Sequence, residues 1–335
     1  MASANANLHK AKGAKNDEFY TQLTDVAKEL MHYKAHFKDK IVFCNCDDPT
    51  WSAFWKYFHL NFAELGLKKL ISTHYDKEKA TYKMEYTGGN DNDIDVGVKT
   101  PLEGNGDFRN KECLDLLDEC DIVVTNPPFS LFREYVAVLM EYQKKFLILG
   151  NMNALTYKEI FPLIRDNQLW YGASIHSGDR KFYVPDDYPL KASGCGVDEN
   201  GRKFIRVKGV RWYTNLDYKA RHEKLVLWKN YTPEEYPKYD NYDAINVNKY
   251  SEIPCDYDGV MGVPITFIDY YCPEQFEIVA FRKGDDGKDL VFTRERESST
   301  VLSYPCTTSI AGMIKNAEGK INGKPTYARI TIRRK

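Results

Sequence analysis

An α/β fold with a mostly parallel sheet, followed by a smaller α+β region, is what this 335-residue sequence predicts. Three observations carry the prediction. Between Ile41 and Arg165, short apolar, β-branched runs alternate with segments of helical periodicity, the order from which parallel sheets with right-handed crossovers are built. One of those runs, Ile122-Val123-Val124, is stopped abruptly by Asn126-Pro127-Pro128. After Gln168 the pattern changes to short aromatic pieces separated by Gly and Pro.

Taken in order, Asp25 to Tyr33 reads as an amphipathic helix and Ile41 to Cys44 as a first buried strand. Ser52 to Leu65 follows as a helix, with Phe54, Tyr57, Phe58 and Leu65 at helical spacing. Leu70 to Thr73 is a second strand. The polar stretch from Gly88 to Asp107, opening Gly88-Gly89-Asn90-Asp91, is a loop or hairpin insertion. Leu114 to Glu119 is a short helix before the strand Ile122 to Val124. A helix over Leu131 to Tyr142, a strand over Phe146 to Leu149 and a helix over Thr156 to Arg165 complete the alternation. Beyond it, Phe204 to Val210 and Thr266 to Tyr271 read as strands. A boundary falls between Leu225 and Pro237, where Pro233 and Pro237 flank acidic residues, and divides the chain into residues 1–230 and 231–335.

Composition sets outer limits. The chain is long enough for one large or two modest domains with real cores. No stretch approaches the roughly 20 apolar residues that span a bilayer, and the first residues lack an apolar signal core, so no membrane partner is expected. Eight cysteines lie scattered without a Cys-x-x-Cys pair, which reads as reduced thiols and no metal site. A net charge of −1 does not announce a nucleic-acid binder, but its distribution is uneven. Arg202, Lys203, Arg206, Lys208, Arg211, Lys219, Arg221, Lys224 and Lys229 face only Asp217 and Glu223; from Val301 onward, Lys315, Lys320, Lys324, Arg329, Arg333, Arg334 and Lys335 face Glu318 alone. Such segments either line a phosphate-binding cleft or are solvated faces.

The stop at Asn126 carries the chemistry. Proline supplies no N–H to a ladder and fixes φ, so the chain leaves the sheet there. In open α/β sheets, ligands bind beyond the carboxyl ends of the strands. The Asn126 side-chain oxygen and the Pro127 carbonyl then become two fixed acceptors, with Pro128 stiffening the turn and Phe129 adding an aromatic face. Two acceptors beside a flat apolar surface suit an amine on a planar ring, such as that of adenine or cytosine. A Pro-rich turn closing an ordinary strand is the alternative.

Asn126-Pro127-Pro128-Phe129 resembles the catalytic tetrapeptide of amino-group methyltransferases that use S-adenosylmethionine. Asn16-Asp17-Glu18-Phe19-Tyr20-Thr21-Gln22 resembles the segment with which many adenine methyltransferases hold that cofactor. Val42-Phe43-Cys44-Asn45-Cys46-Asp47-Asp48-Pro49, Trp51-Ser52-Ala53-Phe54, Lys69 to Tyr75, Gly209 to Asn215 and Gly262 to Phe267 are similar to the EcoRI-type adenine-specific DNA methyltransferases. The resemblance implies a Rossmann-like catalytic domain over residues 1–230 and a target-recognition region over 231–335.

It also implies a cofactor site. In the general methyltransferase pattern a Gly-rich loop follows the first strand; here Asp47-Asp48-Pro49 occupies that place and no glycine follows before Gly66. Which of Asn45, Asp47 and Asp48 faces the ligand stays open, and Asp48-Pro49 also suits a helix N-cap. By resemblance, Asp107 accepts from the cofactor's adenine amine, Phe108 stacks on that ring, Asp76 meets the ribose, and Phe19, Tyr20 and Thr21 pack over the cofactor. Asn126 touches both cofactor and substrate. A capping Asp in a tight turn and a hydrophobic staple are the plainer readings of Asp107 and of Phe19 to Thr21.

The function implied is site-specific N6-adenine methylation of double-stranded DNA on a flipped-out base, in the cytoplasm of a bacterial or phage-infected cell, by a monomer whose cognate restriction endonuclease acts separately. RNA adenine is an alternative substrate. A glutamine amide is another, against which stand Phe129, where Tyr is usual, and the basic segments. A nucleic-acid-binding protein with a degenerate cofactor site is the remaining reading.

Overall fold

The computed structural model describes residues 20–46, 48–76, 80–186, 188–190, 194–240, 243–281, 320–322, 324–327 and 329–335. They form two compact units. One comprises the described residues of Met1–Ala154 and Tyr171–Tyr218, the other those of Leu155–Trp170 and Lys219–Lys335.

The first unit opens with α1 (Leu23–Leu30), which buries Val26, Glu29 and Leu30. The Glu29 carboxylate is satisfied inside the protein by Tyr33 Oη at 2.8 Å and by the Ala173 and Ser174 amides at 2.7 Å. β1 (Ile41–Cys44) is buried throughout. The helix expected from Ser52 to Leu65 is two helices, α2 (Ala53–Leu60) and α3 (Phe62–Leu65). They part at Asn61, whose side-chain amide returns to the Tyr57 carbonyl at 2.7 Å and competes with helix continuation. α3 ends on Gly66 in the left-handed conformation, φ 64°.

β2 (Lys69–Thr73) pairs with β3 (Tyr82–Tyr86), and β3 with β4 (Val98–Pro101), so the insertion expected from Gly88 to Asp107 supplies β4, which returns along β3 at the sheet edge. α4 (Lys111–Glu119), β5 (Ile122–Thr125), α5 (Phe132–Glu141) and β6 (Lys145–Asn151) follow as predicted, each within a few residues of its expected limits. Of the helix expected from Thr156 to Arg165, only α6 (Phe161–Arg165) is α-helical; it belongs to the second unit, with Phe161 against Phe281 at 5.6 Å between ring centroids. β7 (Trp170–Tyr171), β8 (Asp179–Tyr183), β9 (Gly196–Val197), β10 (Lys203–Lys208) and β11 (Val210–Thr214) come next. The strand expected from Phe204 to Val210 is therefore cut in two. Gly209, at φ 71°, turns the chain from one sheet into another.

The main sheet has the order β4-β3-β2-β1-β5-β6-β11-β7. It is mixed where a mostly parallel sheet was expected: β2-β1-β5-β6 are parallel, while β3, β4 and β11 run antiparallel to their neighbours. The link from β2 to β3 is too short for a crossover, which needs about a dozen residues or more. β8, β10 and β9 form a separate antiparallel sheet. Phe43, Val123, Leu147 and Ile148 are fully buried, as central strands covered on both faces require.

In the second unit, β12 (Ile245–Asn246), β13 (Met261–Val263), β14 (Phe276–Phe281) and β17 (Ile330–Arg334) make a four-stranded sheet, with β15 (Lys320–Ile321) and β16 (Lys324–Pro325) as a separate pair. Ile265–Tyr270 is a 3₁₀ helix, not the strand expected over Thr266 to Tyr271. Pro264 starts the turn, and the Phe267 amide returns to the Pro264 carbonyl at 2.9 Å. Among the described residues, no helix is long and apolar enough to cross a membrane.

Candidate active site

The parallel strands β2, β1 and β5 end side by side, with Cys44 opposite Ser72 and Phe43 opposite Val123. Their carboxyl ends present Asn45, Asn126 and the chain after Thr73. Asn45 is almost fully buried. The Thr125 hydroxyl donates to its carbonyl, and the Tyr135 hydroxyl, from the buried face of α5, donates to its Oδ1. Ser72 Oγ donates to the Cys44 carbonyl at 2.8 Å. Asn45 is thus the hub that fixes the edge of the crevice. Sequence reasoning missed Tyr135, which at helical spacing from Phe132 and Leu139 reads as simple core.

The loop after β1 turns at Cys46, φ 67°. Asp48 holds it: Oδ1 accepts from the Thr50 amide at 2.9 Å, Thr50 Oγ1 at 2.8 Å and Tyr82 Oη at 2.8 Å, while Oδ2 lies 3.5 Å from His74 Nε2. Burial, reinforced by Asp48, pushes the Tyr82 hydroxyl well above its ordinary pKa, so it remains a donor. The N-cap of α2 is Ser52, whose Oγ accepts from the Phe54 and Trp55 amides at 3.1 Å; Asp48-Pro49 does not cap it. Asp47 and Phe19 lie outside the described residues.

The chain after β2 meets the loop before α4. Asp76 donates its amide to the Asn105 carbonyl at 3.1 Å. Gly106 sits at φ 73°, so close to His74 that a Cβ there would fall 2.1 Å from the His74 oxygen. Asp76 and Asp107 are brought to one place by that approach. Asp107 lies past the end of antiparallel β4. Its carboxylate receives Arg109 Nε at 2.9 Å and Nη2 at 2.7 Å. That guanidinium, itself tied to Glu134 at 2.9 Å, holds the Asp107 carboxyl below the usual range. Phe108 is buried edge-on to Tyr135, centroids 5.0 Å apart, with the Arg109 guanidinium 5.2 Å from its ring centre.

Asn126 is 7% exposed, directly after β5. Pro127 is buried, Pro128 is half-buried, and the Leu131 amide closes the turn on the Pro128 carbonyl at 2.9 Å. Phe129 is buried and meets Phe182 of β8 edge-on, centroids 6.4 Å apart. β8 also receives the start of the described chain: Tyr20 and Tyr183 exchange backbone hydrogen bonds of 2.9 and 3.1 Å, and Gln22 Nε2 donates to the Lys181 carbonyl at 3.0 Å. Thr21 is buried, and its Oγ1 has no hydrogen-bond partner among the described residues. One strand, β8, therefore links Tyr20 and Thr21 to the tetrapeptide. Its mixed composition gave no sequence signal for that task.

The basic segment from Arg202 to Lys229 is less free than its composition implied. Arg202 pairs with Asp198 at 2.9 Å and lies 4.1 Å from the Tyr183 ring centre. Arg211 is buried and donates to the Val210 and His176 carbonyls. Arg221 is buried 3.8 Å over the Trp170 ring and bonded to Asn167. Arg206, Lys208, Lys219 and Lys224 are exposed.

Comparison with known proteins gives a family. The one described as "Adenine-specific methyltransferase EcoRI" matches residues 7–335. The chain is 50% identical over 303 residues to the Type II methyltransferase M.EcoRI of Escherichia coli, covering 86% of this chain and 93% of that protein. It is 38% identical over 332 residues to M.MpnI of Mycoplasma pneumoniae and 36% identical over 334 residues to M.MgeORF184P of Mycoplasma genitalium, covering 98% of each chain. No solved structure matches it.

Proposed function

This chain belongs to the EcoRI family of adenine-specific methyltransferases, and from that premise we propose that it transfers a methyl group from S-adenosylmethionine to the N6 amine of a specific adenine in double-stranded DNA. The observation that carries the reading is Asn126: a polar side chain buried at the carboxyl end of a parallel strand, followed by a stiff Pro-Pro turn and a braced aromatic ring.

The residues present fit the cofactor. Thr21 keeps a buried hydroxyl oxygen without a partner among the described residues, and the Gly106 approach makes a tight backbone cradle beside Asp76 and Asp107. We assign Thr21, Tyr20, Asn45, Asp76, Asp107 and Phe108 to hold it, in a Rossmann-like arrangement around the β2-β1-β5 strand ends. Asp48 serves by fixing the loop after β1 through Thr50, Tyr82 and His74. S-adenosylmethionine supplies an electrophilic methyl on a sulfonium. The protein's part is to make a poor nucleophile competent: Asn126 Oδ1 and the Pro127 carbonyl accept from the target amine, draw it toward tetrahedral geometry and aim its lone pair. No side chain forms a covalent bond. Because the amine is inaccessible inside a duplex, the base must be flipped, and Phe129 stacks on it.

The protein is assigned as the protective enzyme of a restriction system, a monomer in the cytoplasm, with any endonuclease acting separately. Residues of the C-terminal region read the recognition sequence. The test is transfer of a labelled methyl group to unmethylated duplex DNA, followed by nucleoside analysis. Label in N6-methyladenine is the expected result; label confined to RNA or protein would overturn the substrate assignment.

A further inference from the structure

β8 carries one side chain that does not match its surroundings. In the antiparallel pair of β8 with β10, Arg180 lies opposite Val207 and Phe182 opposite Ile205, so these four share one face of the sheet. Phe182, Ile205 and Val207 are buried, at 1–3% exposure. Phe182 is the residue that braces Phe129. Arg180 is thus a guanidinium on the apolar face, two positions along the strand from the contact with the catalytic tetrapeptide. Its Nη1 donates to the Asp179 carbonyl at 3.0 Å, whereas Nε is buried with no acceptor, and no carboxylate pairs with it among the described residues. Asp179 lies on the opposite face and pairs with Arg206 at 3.7 Å.

A cation held half-buried without a counter-charge is costly unless a ligand completes it. Guanidinium geometry matches an oxyanion with two acceptors. The same sheet carries Lys181, Arg206 and Lys208 on its outer face, so the locality is cationic and suits a polyanion more than an isolated carboxylate. We infer that Arg180 binds a backbone phosphate flanking the flipped adenosine, and so positions that nucleotide against Asn126 and Phe129. The inference rests on the DNA methyltransferase reading, and the wild-type transfer assay tests that reading by itself.

The experiment measures DNA affinity, as a function of salt, for wild type, Arg180→Gln and Arg180→Lys, with cofactor affinity measured in parallel. Arg180→Gln is expected to weaken DNA binding about tenfold and to reduce the slope of log affinity against log salt by about one, the signature of a single lost phosphate contact. Arg180→Lys restores the slope, and cofactor affinity is unchanged in both. A second measurement needs no variant: a neutral methylphosphonate at each phosphate flanking the target adenine in turn. At one position it reproduces the tenfold loss with the wild-type protein and adds nothing to Arg180→Gln. An unchanged salt slope, a scan in which no neutral phosphate weakens wild-type binding, or a loss confined to cofactor affinity would each overturn the inference; the last would give the guanidinium to the cofactor's carboxylate. If the wild type methylates no DNA, the underlying reading fails first.

Discussion

In the proposed reaction the demand on Asn126 is an acceptor at a fixed point, and alanine removes the acceptor while leaving Pro127 and Pro128 to hold the turn. Asn126→Ala is therefore expected to lower kcat by about 100-fold or more, the scale on which one positioned polar group acts on a developing charge, with calorimetric cofactor affinity nearly unchanged. Substantial retained activity would remove Asn126 from its role. Asp107 behaves in the opposite way: Asp107→Ala should weaken cofactor binding first. Its ion pair also has a sign in pH. Arg109 hydrogen-bonds the carboxylate and lowers its pKa in the folded state, so the pair stabilises the protein above the unfolded value near 3.9 and loses that contribution as pH falls through the lower folded value. Urea unfolding of wild type and Asp107→Asn should differ most near neutrality and converge below about pH 4; a constant gap across pH would show that the ion pair is not the cause.

At the scale of elements, the parallel centre was legible and its borders were not. β1, β5 and β6 are runs of Ile, Val, Leu and Phe buried on both faces, and such runs announce themselves. β3, Tyr82-Lys83-Met84-Glu85-Tyr86, alternates buried and half-buried positions as an edge-ward strand does, but its polar residues left it unassigned ahead of the insertion expected from Gly88. The 3₁₀ helix Ile265–Tyr270 misled through composition, because Ile, Thr and Phe read as strand where Pro264 dictates a turn. In the candidate site, the tetrapeptide was legible because Pro-Pro has few meanings. Tyr135 and Phe182 were not, since each acts through a partner distant in sequence, and nothing in the order Asp107-Phe108-Arg109 shows that the guanidinium folds back onto the carboxylate. The cradle is an element-scale prediction. Gly106→Ala places a Cβ against backbone, at a φ that alanine tolerates poorly, and should both destabilise the fold and weaken cofactor binding, whereas Ser52→Ala should cost about 1 kcal/mol of stability alone. Chemical denaturation beside cofactor titration separates the two, and a Gly106→Ala protein with full cofactor affinity would refute the cradle.

Across the whole molecule a net charge of −1 leaves DNA affinity to the arrangement of cations. The sequence made the basic residues from Arg202 to Lys229 one group; the structure divides them by occupation. Arg211 and Arg221 are buried on carbonyls, Asn167 and the Trp170 ring, whereas Arg206 and Lys208 stand exposed on β10. Phosphate contacts make log affinity fall linearly with log salt, with a slope near −0.9 per phosphate, so the two classes have different signatures. Neutralising Arg206 or Lys208 should reduce the slope by about one each where a phosphate is met, and leave thermal stability almost untouched. Arg221→Gln removes a guanidinium packed on Trp170 and should lower the melting temperature by a few degrees while the slope stays as it was. A slope that falls with Arg221→Gln, in protein shown to be folded, would return that arginine to the DNA-facing set; a slope indifferent to Arg206 and Lys208 would move the phosphate-binding surface off β10.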